Sequence, residues 1–240
     1  MLVEVCANSL ESALNAQRAG ADRIELCSEL AVGGITPSYG LLKIIKEHIS
    51  IPVHILIRPR SGDFTFSAVE FEIMKTNISL CVEMGFEGIV SGILNKDYTL
   101  DEERTQELIK LSDGLQFTFH RAFDWVKNPF ETLGRLEVLG VDYILSSGQQ
   151  KSAVEGIKLL TELQNRASGC TIMPGSGINE FNVAHFLSKG FRAVHLSATE
   201  FFQTLDTEPR VSMNSPNFLN DNKIAISDST KIKSLVNKVK

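Results

Sequence analysis

Short runs rich in apolar and β-branched residues alternate with longer helical patterns from Leu2 to Ser197, an order that calls for parallel strands joined by crossover helices. Eight runs qualify, at residues 2–6, 23–27, 53–58, 87–91, 115–120, 142–146, 170–174 and 192–197. Four junctions share one pattern: Gly20-Ala-Asp-Arg-Ile, Gly85-Phe-Glu-Gly-Ile, Gly140-Val-Asp-Tyr-Ile and Gly190-Phe-Arg-Ala-Val. Each glycine suits the left-handed position after a helix, and the four precede the second, fourth, sixth and eighth runs. A unit of two strands and two helices therefore recurs four times, which predicts an α/β fold of one (β/α)₈ (TIM) barrel spanning 1–240.

Helix starts are marked by a capping residue with Glu three positions on, at Asn8/Glu11, Ser67/Glu70, Thr99/Glu102, Asn128/Glu131 and Ser152/Glu155. Pro37 and Pro129 suit the first helical position. After Ser197 the pattern gives way to a polar stretch, about 199–227, read as a long loop. A last helix is expected over about 228–239, with Ile232, Leu235, Val236 and Val239 on one face.

Of the residues 43% are hydrophobic and 22% charged, ordinary globular values. With 24 basic against 29 acidic residues the formal charge is −5, which argues against nucleic acid or an anionic membrane as partner. The first residues lack the pattern of a signal peptide, no apolar run approaches the ~20 residues of a membrane span, and four cysteines form no C-x-x-C pair. A reducing, cytoplasmic setting is expected.

In such a barrel chemistry gathers at the C-terminal ends of the strands. Strand alternation puts Glu4 with Cys6 and Glu25 with Cys27 on common faces. The third strand carries His54 and Arg58 into a basic loop containing Arg60 and Asp63, and the fifth ends in His120-Arg-Ala-Phe-Asp124. Pro174-Gly175-Ser176-Gly177, ahead of a helix expected near Asn179, and the neighbouring His195 and Ser197 form a candidate anion site. Plainer readings stand beside these. Cysteines pack as small hydrophobes, above all Cys81 and Cys170. Glu4 and Glu25 pair with Arg58, Arg60 pairs with Asp63 across their loop, and His54 and His195 are hydrogen-bonded core residues.

Taken together, Glu-Val-Cys at 4–6, Gly-Ala-Asp-Arg-Ile-Glu-Leu-Cys at 20–27, Gly-Gly-Ile-Thr-Pro-Ser at 33–38 and Ile-Arg-Pro-Arg-Ser-Gly-Asp-Phe at 57–64 resemble the CutC family of copper homeostasis proteins. Thr-Phe-His-Arg-Ala-Phe-Asp at 118–124, Ser-Ser-Gly at 146–148 and Pro-Gly-Ser-Gly at 174–177 extend the resemblance. It implies a cytoplasmic (β/α)₈ barrel, commonly a homo-oligomer, that handles Cu(I).

Two functions follow. In the first, a copper homeostasis protein, Cys6 and Cys27 are thiolate ligands of Cu(I), a soft ion that selects sulfur, and His120 completes the shell. In the alternative, an enzyme acts on a small anionic or phosphorylated metabolite. Gly175, Ser176 and Gly177 hold the anion and Arg58 and Arg60 neutralise charge. Glu25 and His120 transfer protons, with Glu4, Asp124, His195 and Ser197 lining the same mouth.

Overall fold

The computed structural model describes residues 1–207, 209–213 and 221–240. Eight parallel strands occur where the alternation places them: β1 (Leu2–Ala7), β2 (Arg23–Leu26), β3 (Val53–Leu56), β4 (Gly88–Ser91), β5 (Gln116–Phe119), β6 (Tyr143–Ser146), β7 (Thr171–Pro174) and β8 (Ala193–Leu196). They pair in the order β7-β6-β5-β4-β3-β2-β1-β8, and β8 lies beside β7, so the sheet curls into a nearly closed barrel. Around it run α1 (Leu10–Arg18), α2 (Tyr39–His48), α3 (Ala68–Glu83), α4 (Glu102–Leu111), α5 (Pro129–Leu139), α6 (Ile157–Arg166), α7 (Val183–Ser188) and α8 (Ser229–Val239).

All four repeated glycines turn the chain left-handed, with φ between 70° and 87°. The acid that follows three of them has a second task. Asp22 accepts from Val3 N–H (2.8 Å), Glu87 from Val53 N–H (2.8 Å) and Asp142 from Phe117 N–H (2.7 Å). The carboxylate after an even-strand turn thus caps the first donors of the odd strand beside it, and the repeat encodes strand pairing as well as helix ends.

The helix starts are less regular. Ser67 and Glu70 form the full reciprocal box. At α1 the cap moves to Ser9, and Asn8 instead donates to Ala225 O across the barrel's edge. Asp101 displaces Thr99 as cap of α4. Asn128 caps α5 without a side-chain bond to the backbone, and Pro129 takes the first helical position. Pro37 instead precedes the cap Ser38. Ser152 and Glu155 bond to each other in a turn, and α6 begins only at Ile157.

Part of the polar stretch is not a loop. β9 (Thr199–Gln203) and β10 (Lys223–Ser227) pair antiparallel as a two-stranded ribbon, because Phe201, Phe202, Ile224 and Ile226 supply the β-forming residues that the surrounding Asn and Ser disguise. The rest of that stretch includes residues 208 and 214–220, which lie outside the described residues. The last helix, α8, buries Ile232, Leu235, Val236 and Val239.

The barrel's lumen is unusually polar. Low in it, Arg23 is 2% exposed and stacks 4.2 Å over the Tyr143 ring, with Nη1 donating to Gln116 and Nη2 reaching Met173 Sδ. Beside it lies His54, and a β-carbon on Gly88 would stand 2.5 Å from three atoms of that ring. Only glycine leaves the imidazole its space. Higher up, Cys6, Cys27, Leu56 and Val90 form a small apolar cluster.

Candidate functional site

The register of β1 builds the site. Glu4 stands opposite Arg23 on one side and His195 on the other, and Cys6 stands opposite Glu25. Glu4 is fully buried and bidentate in effect: Oε2 accepts from Arg23 Nε at 2.6 Å, and Oε1 lies 2.8 Å from His195 Nδ1. Above this pair Cys6 Sγ lies 3.5 Å from Cys27 Sγ and 3.6 Å from Glu25 Oε1. His195 Nδ1 is 3.9 Å from Glu25 Oε2. Cys6, Glu25 and His195 can each offer one ligand atom, all within 4.8 Å of one another. These groups form the floor of a chamber of about 930 Å³ that opens at the C-terminal ends of the strands.

Burial would push the Glu4 carboxyl up, but Arg23 and then His195 outweigh it and hold it at about 2. Burial likewise opposes charge on His195, and Glu25, Cys6 and Glu4 together raise its pKa well above the ordinary imidazole value. The shift favours the charged ring, whose Nδ1 faces Glu4 Oε1. Burial raises Glu25, countered in part by His195. Cys6 is pushed well up by its hydrogen bond with Cys27, by burial and by the nearby Glu25. Cys6 is therefore a protonated thiol until something displaces its proton.

Several expected residues serve the scaffold. Arg58 does not meet Glu4 or Glu25: Arg23 pairs with Glu4, while Cys6 and His195 neighbour Glu25. The Arg58 guanidinium donates to Val32 O (2.8 Å), Gly34 O (2.9 Å) and Gly62 O (2.8 Å), tying the loop after β2 to the loop after β3. That tie seats Gly34 against Cys27, where a β-carbon would come within 2.7 Å of Leu56 and 3.3 Å of Cys27 Cβ. Arg60 bonds Asp63 within its own loop and Glu70 in the first turn of α3. Asp124 accepts from Ser146, Ser147, Gln149 and Arg121. Neither Arg60 nor Asp124 lines the chamber.

His120 does line it, but on the far side from the thiols' imidazole neighbour, His195. Its Nδ1 accepts from Ala122 N–H, and burial together with Arg58 depresses its pKa to about 3. His54 is a fully buried core residue with the Gln116 side chain as its polar neighbour, and burial, then Arg23, lowers it to about 4. Gly175 donates its N–H to Ser146 O, and the helix expected near Asn179 starts at Val183. Ser176, Gly177 and Ser197 line the chamber.

Sequence reasoning passed over Arg23, although period-two alternation from Glu25 and Cys27 already placed it on the inner face. It also passed over Lys231 of α8, which lines the mouth and pairs with Glu200 of the ribbon.

The model of the CutC family matches residues 1–200. Over 198 residues the chain is 46% identical to "family protein CutC" of Erwinia tasmaniensis, covering 82% of this chain and 79% of the relative. A second such protein, from Serratia proteamaculans, is 45% identical over 196 residues, 82% of this chain and 78% of the relative. Among solved structures, a putative copper homeostasis protein CutC from Streptococcus agalactiae superposes with a TM-score of 0.78 at 32% identity, covering 82% of this chain and 98% of that one. A thiamine phosphate pyrophosphorylase from Pyrococcus furiosus, 13% identical with a TM-score of 0.58 over 99% of this chain and 94% of its own, shares the barrel fold. With its family motifs set around one polar lumen and its first 200 residues matched throughout, the chain belongs to the CutC family.

Proposed function

We propose that this protein is a cytoplasmic copper homeostasis protein, a homo-oligomer whose Cu(I) site is the pair Cys6 and Cys27. The observation that carries the reading is the 3.5 Å between the two sulfurs, Cys6 lining the chamber floor and Cys27 fully buried against it. Two metal–sulfur bonds of about 2.3 Å span more than that distance, so one soft ion can contact both thiolates. Thiolate donors select Cu(I) over harder ions, and Glu25 Oε2, buried without a hydrogen-bond partner, is available to the same space. His195 replaces His120 as the imidazole of the site, because β8 and not β5 pairs with β1.

The test is a titration of reduced protein with Cu(I) against a competing chelator, beside the variant Cys6→Ser/Cys27→Ser. Tight one-to-one binding that the variant loses, with its thermal midpoint kept, is the expected result. Equal affinity in both proteins would remove the thiolate site.

A second reading, an acid–base enzyme acting on a small anionic metabolite, is favoured by the volume of the chamber, far larger than one ion requires. Its proton-transfer pair is Glu25 with His195, which approach to 3.9 Å, rather than Glu25 with His120.

A further inference from the structure

Of the permanently charged cations that face the chamber, Arg121 is paired with Asp124 and Lys231 with Glu200, which leaves Arg58. Arg58 is the telling member. It is 5% exposed, no carboxylate lies within 4.0 Å of it among the described residues, its bonds go to neutral carbonyls, and its Nε has no partner. A buried cation without a counter-ion leaves a field that an incoming anion can satisfy. Arg58 Nε is shut off from water, so Arg58 supplies field to the chamber rather than contact.

Contact is available on the opposite side of the mouth, four strands away at the end of β7. Gly175 N–H is taken by Ser146 O at 3.0 Å, but the N–H groups of Ser176, Gly177 and Ile178 donate to no acceptor among the described residues. All three residues line the chamber. Ser176 (φ 78°) and Gly177 (φ 77°) both turn left-handed, and the Ser176 hydroxyl donates to Lys151 O, which leaves its amide as the free donor. Three successive free amides under a positive field suit an oxyanion with several acceptor oxygens. Between them and the thiols lie the Ser197 hydroxyl, with no partner among the described residues, and the unpartnered Glu25 Oε2.

We propose that the chamber binds a small organic phosphate monoester, its phosphoryl oxygens on the amides of Ser176, Gly177 and Ile178 and its hydroxylated remainder reaching Ser197 and Glu25. This deepens the second reading but needs no turnover, so a binding experiment separates failure of the subsite from failure of catalysis. Reduced, metal-free protein labelled with ¹⁵N is titrated with inorganic phosphate, with glycerol 3-phosphate and with glycerol. The amide resonances of Ser176, Gly177 and Ile178 should move saturably with both phosphates and not with glycerol. Glycerol 3-phosphate should bind about tenfold tighter than inorganic phosphate or better. The variant Ser176→Asp keeps a residue type that tolerates left-handed backbone and sets a carboxylate against the anion. It should weaken both phosphates by about tenfold or more while leaving Cu(I) affinity unchanged. Unmoved amides at the three positions, or equal affinity for the two phosphates, would overturn the proposal. The amide map is read on the unaltered protein, so it decides the matter even if the variant fails to fold.

Discussion

Replacing Arg23 by Met removes one half of a lumen ion pair and leaves the other half buried. Arg23 Nε sits 2.6 Å from Glu4 Oε2, with side-chain exposures of 2% and 0%. Breaking such a pair from one side costs about 3–5 kcal/mol, because the remaining charge is stranded in low dielectric. Here His195, 2.8 Å from the other oxygen, still faces the carboxylate, which sets the expected loss near the lower end, about 3 kcal/mol. The depression of Glu4 from 4.5 to about 2 gives a similar figure, about 3 kcal/mol by linkage. That part of the stability is present above pH 4.5 and is lost as pH falls through about 2. In urea, with a slope of about 2–3 kcal/mol per M, the midpoint of Arg23→Met should fall by about 1 M or more. Adding Glu4→Gln should recover part of the loss, since the buried carboxylate is then no longer stranded and His195 keeps Glu25 at 3.9 Å as its remaining acid neighbour. A midpoint within about 0.3 M of the unaltered protein, or a double variant worse than the sum of the two single ones, would refute mutual compensation.

Three further outcomes are expected. Gly88→Ala drives a β-carbon into the His54 ring, at 2.5 Å from three of its atoms, and should destabilise by about 1–3 kcal/mol in chemical denaturation; a neutral result would mean that the imidazole has room to move. Two histidines, His54 and His120, are held neutral at about 4 and about 3 while His195 is held charged. As pH falls from 6.5 towards 5 the unfolded chain therefore gains about one proton more than the folded one, and stability should drop by on the order of 1–2 kcal/mol. His54→Asn should flatten that drop, and an unchanged slope in denaturant titrations at the two pH values would contradict it. Because the Cys6 thiol is pushed up, Cu(I) must displace its proton, so apparent affinity should rise by about tenfold per pH unit for each proton released; a pH-independent affinity would argue against Cys6 as ligand.

How much of this was legible in the sequence depends on what alternation can encode. Strand positions and the left-handed glycines follow from local chemistry, and Gly20, Gly85, Gly140 and Gly190 all sit where the repeat sets them. The inner face was readable too: Glu4 with Cys6, and Glu25 with Cys27. Height in the lumen was not, because it depends on the register between strands. Arg58 and Arg23 both point inward, yet only the pairing of β1 with β2 sets Arg23 opposite Glu4, and Arg58 lies a layer higher among carbonyls. For the same reason His195 outranks His120 at the thiols: β8 adjoins β1, while β5 lies across the barrel. The ribbon of β9 and β10 was hidden because its partners are about twenty residues apart and each carries only a short apolar pattern.

The most direct test of the copper site is X-ray absorption at the copper edge of the reduced protein loaded with one Cu(I). Two sulfur scatterers in the first shell, both lost in Cys6→Ser/Cys27→Ser, are the expected result. A shell of nitrogen and oxygen alone, unchanged by the double substitution, would show that the two thiols 3.5 Å apart are packing and not a copper site.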